Sequence, residues 1–304
     1  MSQLRQKKRK TPIFLTIVMV LFTMMIALFA SFDPVPIEEK PTSASRADSK
    51  KGNDWVPATT AKQCHETPIK NLKKYMMSQS KEDEILLNIF HGLCGGTYLE
   101  MGGFNGVKYS NTYVFNKSPS LKWKGVLVEL GPKNFAALKK NRPNELATVH
   151  AGVCAKAQTL HYVEAKATGG IWEFSDEEFR NKFWSDIDLK KVPTIKCSPL
   201  RDILQEHVGE PFYFDFFSLD VEGAEEEVVK SLDFTKVAFG VIFVEADQFN
   251  PEKNQAVRTL LVSSGYKFLF HKNRSDWFYN EHFHDIYNDL LDIDLQHLKI
   301  DSME

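Results

Sequence analysis

A carboxylate followed by three closely spaced glycines is the part of this chain best suited to hold a ligand. Thr97-Tyr-Leu-Glu-Met-Gly-Gly-Phe-Asn-Gly106 reads as a buried strand carrying Glu100 at its end and breaking into a turn through Gly102, Gly103 and Gly106. Residues without a Cβ let a backbone turn tightly and approach a ligand closely, the chemistry of a nucleotide cradle. A second acid, Glu129, ends the apolar run Gly125-Val-Leu-Val-Glu129. A carboxylate about 20 residues past such a loop is placed to accept hydrogen bonds from ribose hydroxyls. Phe214-Asp-Phe-Phe-Ser-Leu-Asp-Val-Glu-Gly223 is another apolar strand ending in acids and a glycine. Such ends gather at the ligand-facing carboxyl edge of a parallel sheet.

Strands that alternate with helices are needed to bring these ends together. Apolar spacing predicts a helix over 81–90, with acids in its first turn where they complement the helix dipole. Further helices are expected at Asn111–Asn116, from Pro132 through Leu138, and at 200–204, where Ser198 would cap a helix opened by Pro199. Ala224–Ser231 and Pro251–Ser264 complete the helices, the last ended by Gly265. Leu146–Val153, Gln158–Glu164 and the nearly continuous apolar run Val237–Ala246 read as strands, and Tyr266–Phe270 and Asp276–Tyr279 as a closing aromatic hairpin. The segment 168–191 reads as an insertion rich in aromatics and charge, either a substrate lid or a surface excursion packed on the core. The fold class is therefore α/β: a three-layer, Rossmann-like arrangement around a mostly parallel sheet.

The amino terminus has a different character. Arg5, Lys7, Lys8, Arg9 and Lys10 precede an uncharged apolar run from Pro12 to Phe32. Roughly 20 helical residues at about 1.5 Å each span a bilayer core, and this run exceeds the apolar region of a cleavable signal peptide. With the basic cluster cytosolic, the orientation is type II and the bulk of the chain is lumenal, in the Golgi or endoplasmic reticulum. The expected layout is a cytoplasmic tail (1–11), a transmembrane signal-anchor helix (12–32), a disordered stem (33–62), the folded domain (63–285) and a C-terminal tail (286–304). Setting aside the five basic residues of the tail leaves 33 basic against 40 acidic side chains, a formal charge of −7. That balance argues against a nucleic-acid partner. Cys64, Cys94, Cys154 and Cys197 allow three complete disulfide pairings in an oxidising lumen, and no Cys-x-x-Cys spacing marks a zinc site. Asn116-Lys-Ser118 and Asn273-Arg-Ser275 are glycan-acceptor tripeptides.

Tyr98-Leu-Glu-Met-Gly-Gly-Phe-Asn-Gly106, Gly125-Val-Leu-Val-Glu129, Phe217-Ser-Leu-Asp-Val-Glu-Gly-Ala-Glu225 and Val241-Ile-Phe-Val-Glu245 resemble, in order and spacing, the FkbM-type methyltransferases. The resemblance covers about residues 90 to 280. It implies a class I methyltransferase fold, with a seven-stranded sheet and S-adenosylmethionine over the first strands. It places Glu100, Gly102 and Gly106 in the first cofactor motif, beside Gly103 and Asn105, with Glu129 after the second strand and Asp220 at the fourth. Phe104 departs from a Gly-x-Gly-x-Gly pattern, and Asn105 stands where many relatives carry an acid. Methyl transfer is an in-line displacement at a sulfonium, so a hydroxyl acceptor needs a base. Asp220, Glu222 and Glu245 are the expected catalytic set, with Asp247 and His150 as further bases near strand ends. Clustered acids raise one another's pKa or hold a divalent metal, although no specific metal motif is present. The expected activity is O-methylation of a glycan or small molecule in the secretory-pathway lumen. Two alternatives stand beside it: a type II glycosyltransferase using Asp186-Ile-Asp188 or Asp292-Ile-Asp294, and a non-catalytic lumenal adaptor retaining the fold.

Overall fold

Seven strands form the central sheet: β1 (Thr97–Met101), β2 (Lys124–Glu129), β3 (Ala147–His150), β4 (Phe212–Leu219), β5 (Val237–Glu245), β6 (Tyr266–Lys272) and β7 (Ser275–Asn280). The computed structural model describes residues 57–210, 212–291 and 295. The strand order is β6-β7-β5-β4-β1-β2-β3, and of these strands only β7 runs against its neighbours. The expected parallel sheet with a terminal hairpin is thus present. Register does the positioning: Met101 pairs with both Val128 and Leu219, and Leu219 with Val244. Gly102, Glu129, Asp220 and Glu245 therefore stand level at one edge.

Side chains alternate across a strand, so a sheet buried on both faces must be apolar at successive positions. Tyr98, Phe216 and Phe243 enter the core on one face, against Leu86 and Ile89 of the helix Glu82–Ile89, Phe115 of Tyr113–Lys117 and Leu138 of Pro132–Asn141. Leu99, Phe217 and Ile242 enter the other, against Leu200 of Leu200–His207, Val228 of Glu225–Lys230 and Leu261 of Pro251–Ser263. Three layers result. The segments flanking the insertion form a small sheet: Thr194–Ser198 pairs with Gly152–Val153 and Gln158–Val163, and the latter with Gly170–Ile171 at the start of the insertion. The cysteine pairing is Cys64–Cys94 and Cys154–Cys197, the second tying Thr194–Ser198 to the residue after Gly152–Val153.

Several boundaries differ from expectation. Residues 57–62, read as stem, belong to the domain: Lys62–Gln63 pairs with Leu93–Cys94, and Thr59 donates to the fully buried carboxylate of Asp215. Tyr287, read as C-terminal tail, donates to the same carboxylate at 2.5 Å from the helix Phe283–Tyr287, and the Thr97 backbone N–H donates at 2.7 Å. A buried carboxylate needs donors, and here both flanks of the domain supply them. The stretch 146–153 breaks at Ala151 into two short strands. Ser198 ends a strand, and Ser231 Oγ caps the following helix by accepting from the Leu200 N–H at 3.0 Å. No helix among the described residues is long and apolar enough to cross a membrane; 12–32 lies outside them, as does most of 33–62.

Candidate active site

The level strand ends open into a cavity of about 760 Å³, within the roughly 300–1,000 Å³ common for small-molecule sites. Glu100, Gly102 and Glu129 line it from the first two strands, Asp220 and Glu222 from the loop after β4, and Asp247 from the loop after β5. Phe179 and Phe183 of the insertion, with Lys166 just before it, supply a wall, and the aromatics of the insertion pack in a small cluster with Phe249.

The glycine turn is shaped by close approach. Gly102 has φ +81°, and a Cβ there would lie 1.7 Å from the carbonyl oxygen of Asp220. β1 and β4 can reach this separation only without that side chain. Gly102→Ala is expected to cost roughly 1–3 kcal/mol by overpacking and to weaken cofactor binding in parallel, measurable by thermal melting and calorimetry. Unchanged melting would contradict the packing argument.

The remaining turn residues act differently from expectation. Gly103, Asn105 and Gly106 do not line the cavity. A Cβ on Gly103 would meet Leu138 at 2.8 Å and one on Gly106 would meet Arg142 at 2.7 Å, so both admit the neighbouring helix rather than a ligand. Asn105 Oδ1 accepts from the N–H groups of Val107 and Lys108, closing the turn on itself. Phe104, at the unusual middle position, adopts φ +46° and donates its N–H to Glu129 at 2.8 Å.

Glu100 is 2% exposed, and its carboxylate accepts from Asn111 N at 2.7 Å, Thr112 Oγ1 at 2.5 Å and Ser110 Oγ at 3.0 Å. It organises the loop that follows the glycines. Glu129 likewise accepts from Gly131 N at 2.7 Å as well as from Phe104. Burial pushes both carboxyl groups above their usual range, opposed by these donors. Beneath the turn, Arg142 is completely buried: Nε donates to Glu145 at 2.7 Å, Nη1 to Gly106 O at 3.0 Å, and Nη2 to Tyr98 Oη and Thr112 Oγ1. Sequence reasoning missed this residue, since Lys-Lys-Asn-Arg142 resembles a solvated basic helix end. The small polar run Ser110-Asn-Thr112 is a local signal that a carboxylate needs donors.

On the other side, one carboxylate oxygen from each of Asp220, Glu222 and Glu245 lies within 4.8 Å of the others. Val221-Glu222-Gly223 is a strained turn, with φ +55° at Glu222 and +100° at Gly223. Glu225 holds it, accepting from Val221 N at 2.9 Å and Gly223 N at 3.3 Å. Glu225 thus binds the backbone of this turn, and Glu222 reaches the cavity. Glu245 does not line the main cavity; it is 9% exposed and ion-paired with Arg274, which places it behind Asp220. His150 stacks on Phe135 at 5.1 Å, bonds Leu130 O and does not line the cavity. Asp188 caps a turn at Lys190 and pairs with Lys191, away from the cavity, and Asp292-Ile-Asp294 lies outside the described residues. The side-chain amides of Asn116 and Asn273 donate to Trp123 O and Ser80 O.

Desolvation, then the charge of Asp220, pushes Glu222 up to about 9, and burial pushes Glu225 up to about 7. Glu245 is raised by burial, then by Asp220 and Glu222. Unfolded, such groups titrate near 4.3. Between pH 4.3 and about 9 the folded state binds more protons than the unfolded one, so stability falls as pH rises. Melting temperature is expected to decline across that window, with a shallower decline in Glu222→Gln; equal slopes would contradict the assignment.

A doubly covered sheet of this order, with a glycine turn at β1 and acids at the ends of β2 and β4, puts a ligand site at the carboxyl edge of the strands. Residues 100–268 match the model of the methyltransferase FkbM domain, and the chain belongs to that family. Similar solved structures include an S-adenosylmethionine-dependent methyltransferase from Aquifex aeolicus (15% identity, 70% of this chain and 96% of that one, TM-score 0.33). An O-methyltransferase from Bacillus cereus in complex with SAH is 14% identical over 69% of this chain and 83% of that one, with TM-score 0.33. A TehB-like S-adenosylmethionine-dependent methyltransferase from Corynebacterium glutamicum is 10% identical over 70% and 94%, with TM-score 0.34. No curated protein matches the chain. The residues present fit the cofactor: Gly102 lines the cavity, the carboxylates suit the ribose and cationic groups of S-adenosylmethionine, and the buried Asn111 Oδ1 on the cavity wall lacks a partner.

Proposed function

We propose that this protein O-methylates a hydroxyl of a glycan or small molecule in the lumen of the secretory pathway, in the Golgi or endoplasmic reticulum, from a type II anchor at residues 12–32. The observation that carries the O-methylation reading is the cavity itself. The same cavity that Gly102 and Glu129 line is also lined by Asp220, Glu222 and Asp247 beside Arg274. When bound, S-adenosylmethionine supplies an electrophilic methyl group on a sulfonium. Gly102, Glu129 and Asp220 would hold it. Asp220 accepts the proton of the acceptor hydroxyl, with carboxyl oxygens of Glu222 and Glu245 within 4.8 Å. Phe179 and Phe183 help exclude water from the acceptor side. Both disulfides and the uncharged run 12–32 support a lumenal domain on a membrane anchor.

The test incubates the purified full chain and methyl-labelled S-adenosylmethionine with glycans and small hydroxyl compounds. Label in base-stable ether linkages is the expected result. Label on nitrogen alone would overturn the O-methyl reading, and failure to bind S-adenosylmethionine would favour the non-catalytic adaptor. Mass spectrometry of glycans from cells with and without the protein checks the acceptor class, where an unchanged methyl inventory rules out glycans.

A further inference from the structure

Asn111 is 8% exposed and lines the cavity between β1 and β4. Its backbone N–H is taken by Glu100 and its Nδ2 donates to Ser218 Oγ at 2.9 Å, which fixes the orientation of the amide. The Oδ1 atom is left buried with no hydrogen-bond partner. The other two such atoms among the described residues are the indole nitrogens of Trp123 and Trp277, on side chains packed within the core. An orphaned buried acceptor on a ligand cavity calls for a donor from the ligand, because leaving it unpaired is costly.

We infer that Asn111 Oδ1 receives the α-ammonium group of S-adenosylmethionine and so selects the amino-acid end of the cofactor. The donors on that molecule are its ammonium, its adenine amino group and its ribose hydroxyls. Glu129 stands at the end of β2, and the neighbouring wall beyond it is apolar through Val128, Leu130 and Val153, which suits ribose and adenine there. Asn111 lies on the opposite side of β1, between Glu100 and Ser218 and near the strand end that carries Asp220. Glu100 and Asp220 line the cavity with Asn111, and a charged donor makes the stronger hydrogen bond to a buried amide oxygen. This placement rests on the cofactor assignment alone and is independent of the acceptor.

Binding of three ligands to the full chain, measured by calorimetry, tests it: S-adenosylmethionine, its decarboxylated analogue, which keeps the amine, and 5′-methylthioadenosine, which lacks the whole amino-acid portion. Asn111→Ala is expected to weaken the first two on the order of tenfold to a hundredfold, the range for a hydrogen bond to a charged group, and to leave 5′-methylthioadenosine unchanged. The unchanged ligand also reports an intact cavity. Asn111→Asp, which keeps an acceptor oxygen in place, is expected to retain the wild-type preference for S-adenosylmethionine over 5′-methylthioadenosine. Equal weakening of all three ligands by Asn111→Ala would make Asn111 a purely structural residue and overturn the inference. Loss confined to S-adenosylmethionine would place the amide nitrogen on the carboxylate instead, and loss of the preference in Asn111→Asp would also count against it. Failure of the wild-type chain to bind any of the three would sink the cofactor assignment itself, a separate outcome.

Discussion

Methyl transfer by an Asp220→Asn variant is expected to fall by about 10²–10⁴-fold, the usual contribution of a positioned general base. The fold should not suffer with it. Asp220 is only partly buried and stands within 4.8 Å of the carboxyl groups of Glu222 and Glu245, so an amide of the same size takes one acid out of a crowded cluster. Melting temperature is therefore expected to hold or rise while the rate collapses. The labelled-transfer assay and a thermal melt on the same preparation check this. A near-normal rate removes Asp220 from the chemistry; a lost rate with a lowered melting temperature makes its role structural. Glu245→Gln provides the contrast, because that carboxylate sits behind Asp220 against Arg274 and should affect the rate less.

The second large effect is expected from Arg142→Ala. The guanidinium is fully buried, and its removal strands Glu145 and Glu100, whose side chains are 1% and 3% exposed. Breaking a buried ion pair from one side costs about 3–5 kcal/mol, because the remaining charge keeps its desolvation penalty. For a domain of this size that corresponds to a melting shift on the order of 10 °C. Cofactor affinity should fall as well, since the same side chain ties Gly106 O, Ser110 Oγ and Thr112 Oγ1 beneath the glycine turn. Arg142→Lys should recover little, because an ammonium cannot reproduce the planar fork reaching Glu145, Gly106 and Tyr98 together. A melting curve like that of the wild type would show that the network contributes nothing net to stability.

Much of the sheet is legible in the sequence. The run Val237–Glu245 is buried at every position, and continuous apolarity is what a strand covered on both faces requires. The glycine turn, Glu129 and Asp220 announced themselves because each follows directly on such a strand. Ser198 was misread as a cap because the residue that caps Leu200 is Ser231, brought close only by the packing of two helices. Glu245 looked as catalytic as Asp220, since nothing within a few residues marks Arg274 as its partner. The stem boundary was misplaced for the same reason: Thr59 looks like a linker residue until Asp215 is found buried beside it.

What the chain determined by itself was local and periodic: which segments are strands, where their backbones must turn, and which acids end them. Alternation, glycine and proline act over a few residues, so they can be read along a line. Only the tertiary structure decided which acid faces the ligand, which cysteines pair and which side chains satisfy the buried charges. Those outcomes depend on register across the sheet and on partners separated by tens to hundreds of residues, as with Arg142 and Tyr98 or Thr59 and Asp215. A buried polar group accepts any donor that packing delivers, and one-dimensional spacing carries no record of that delivery.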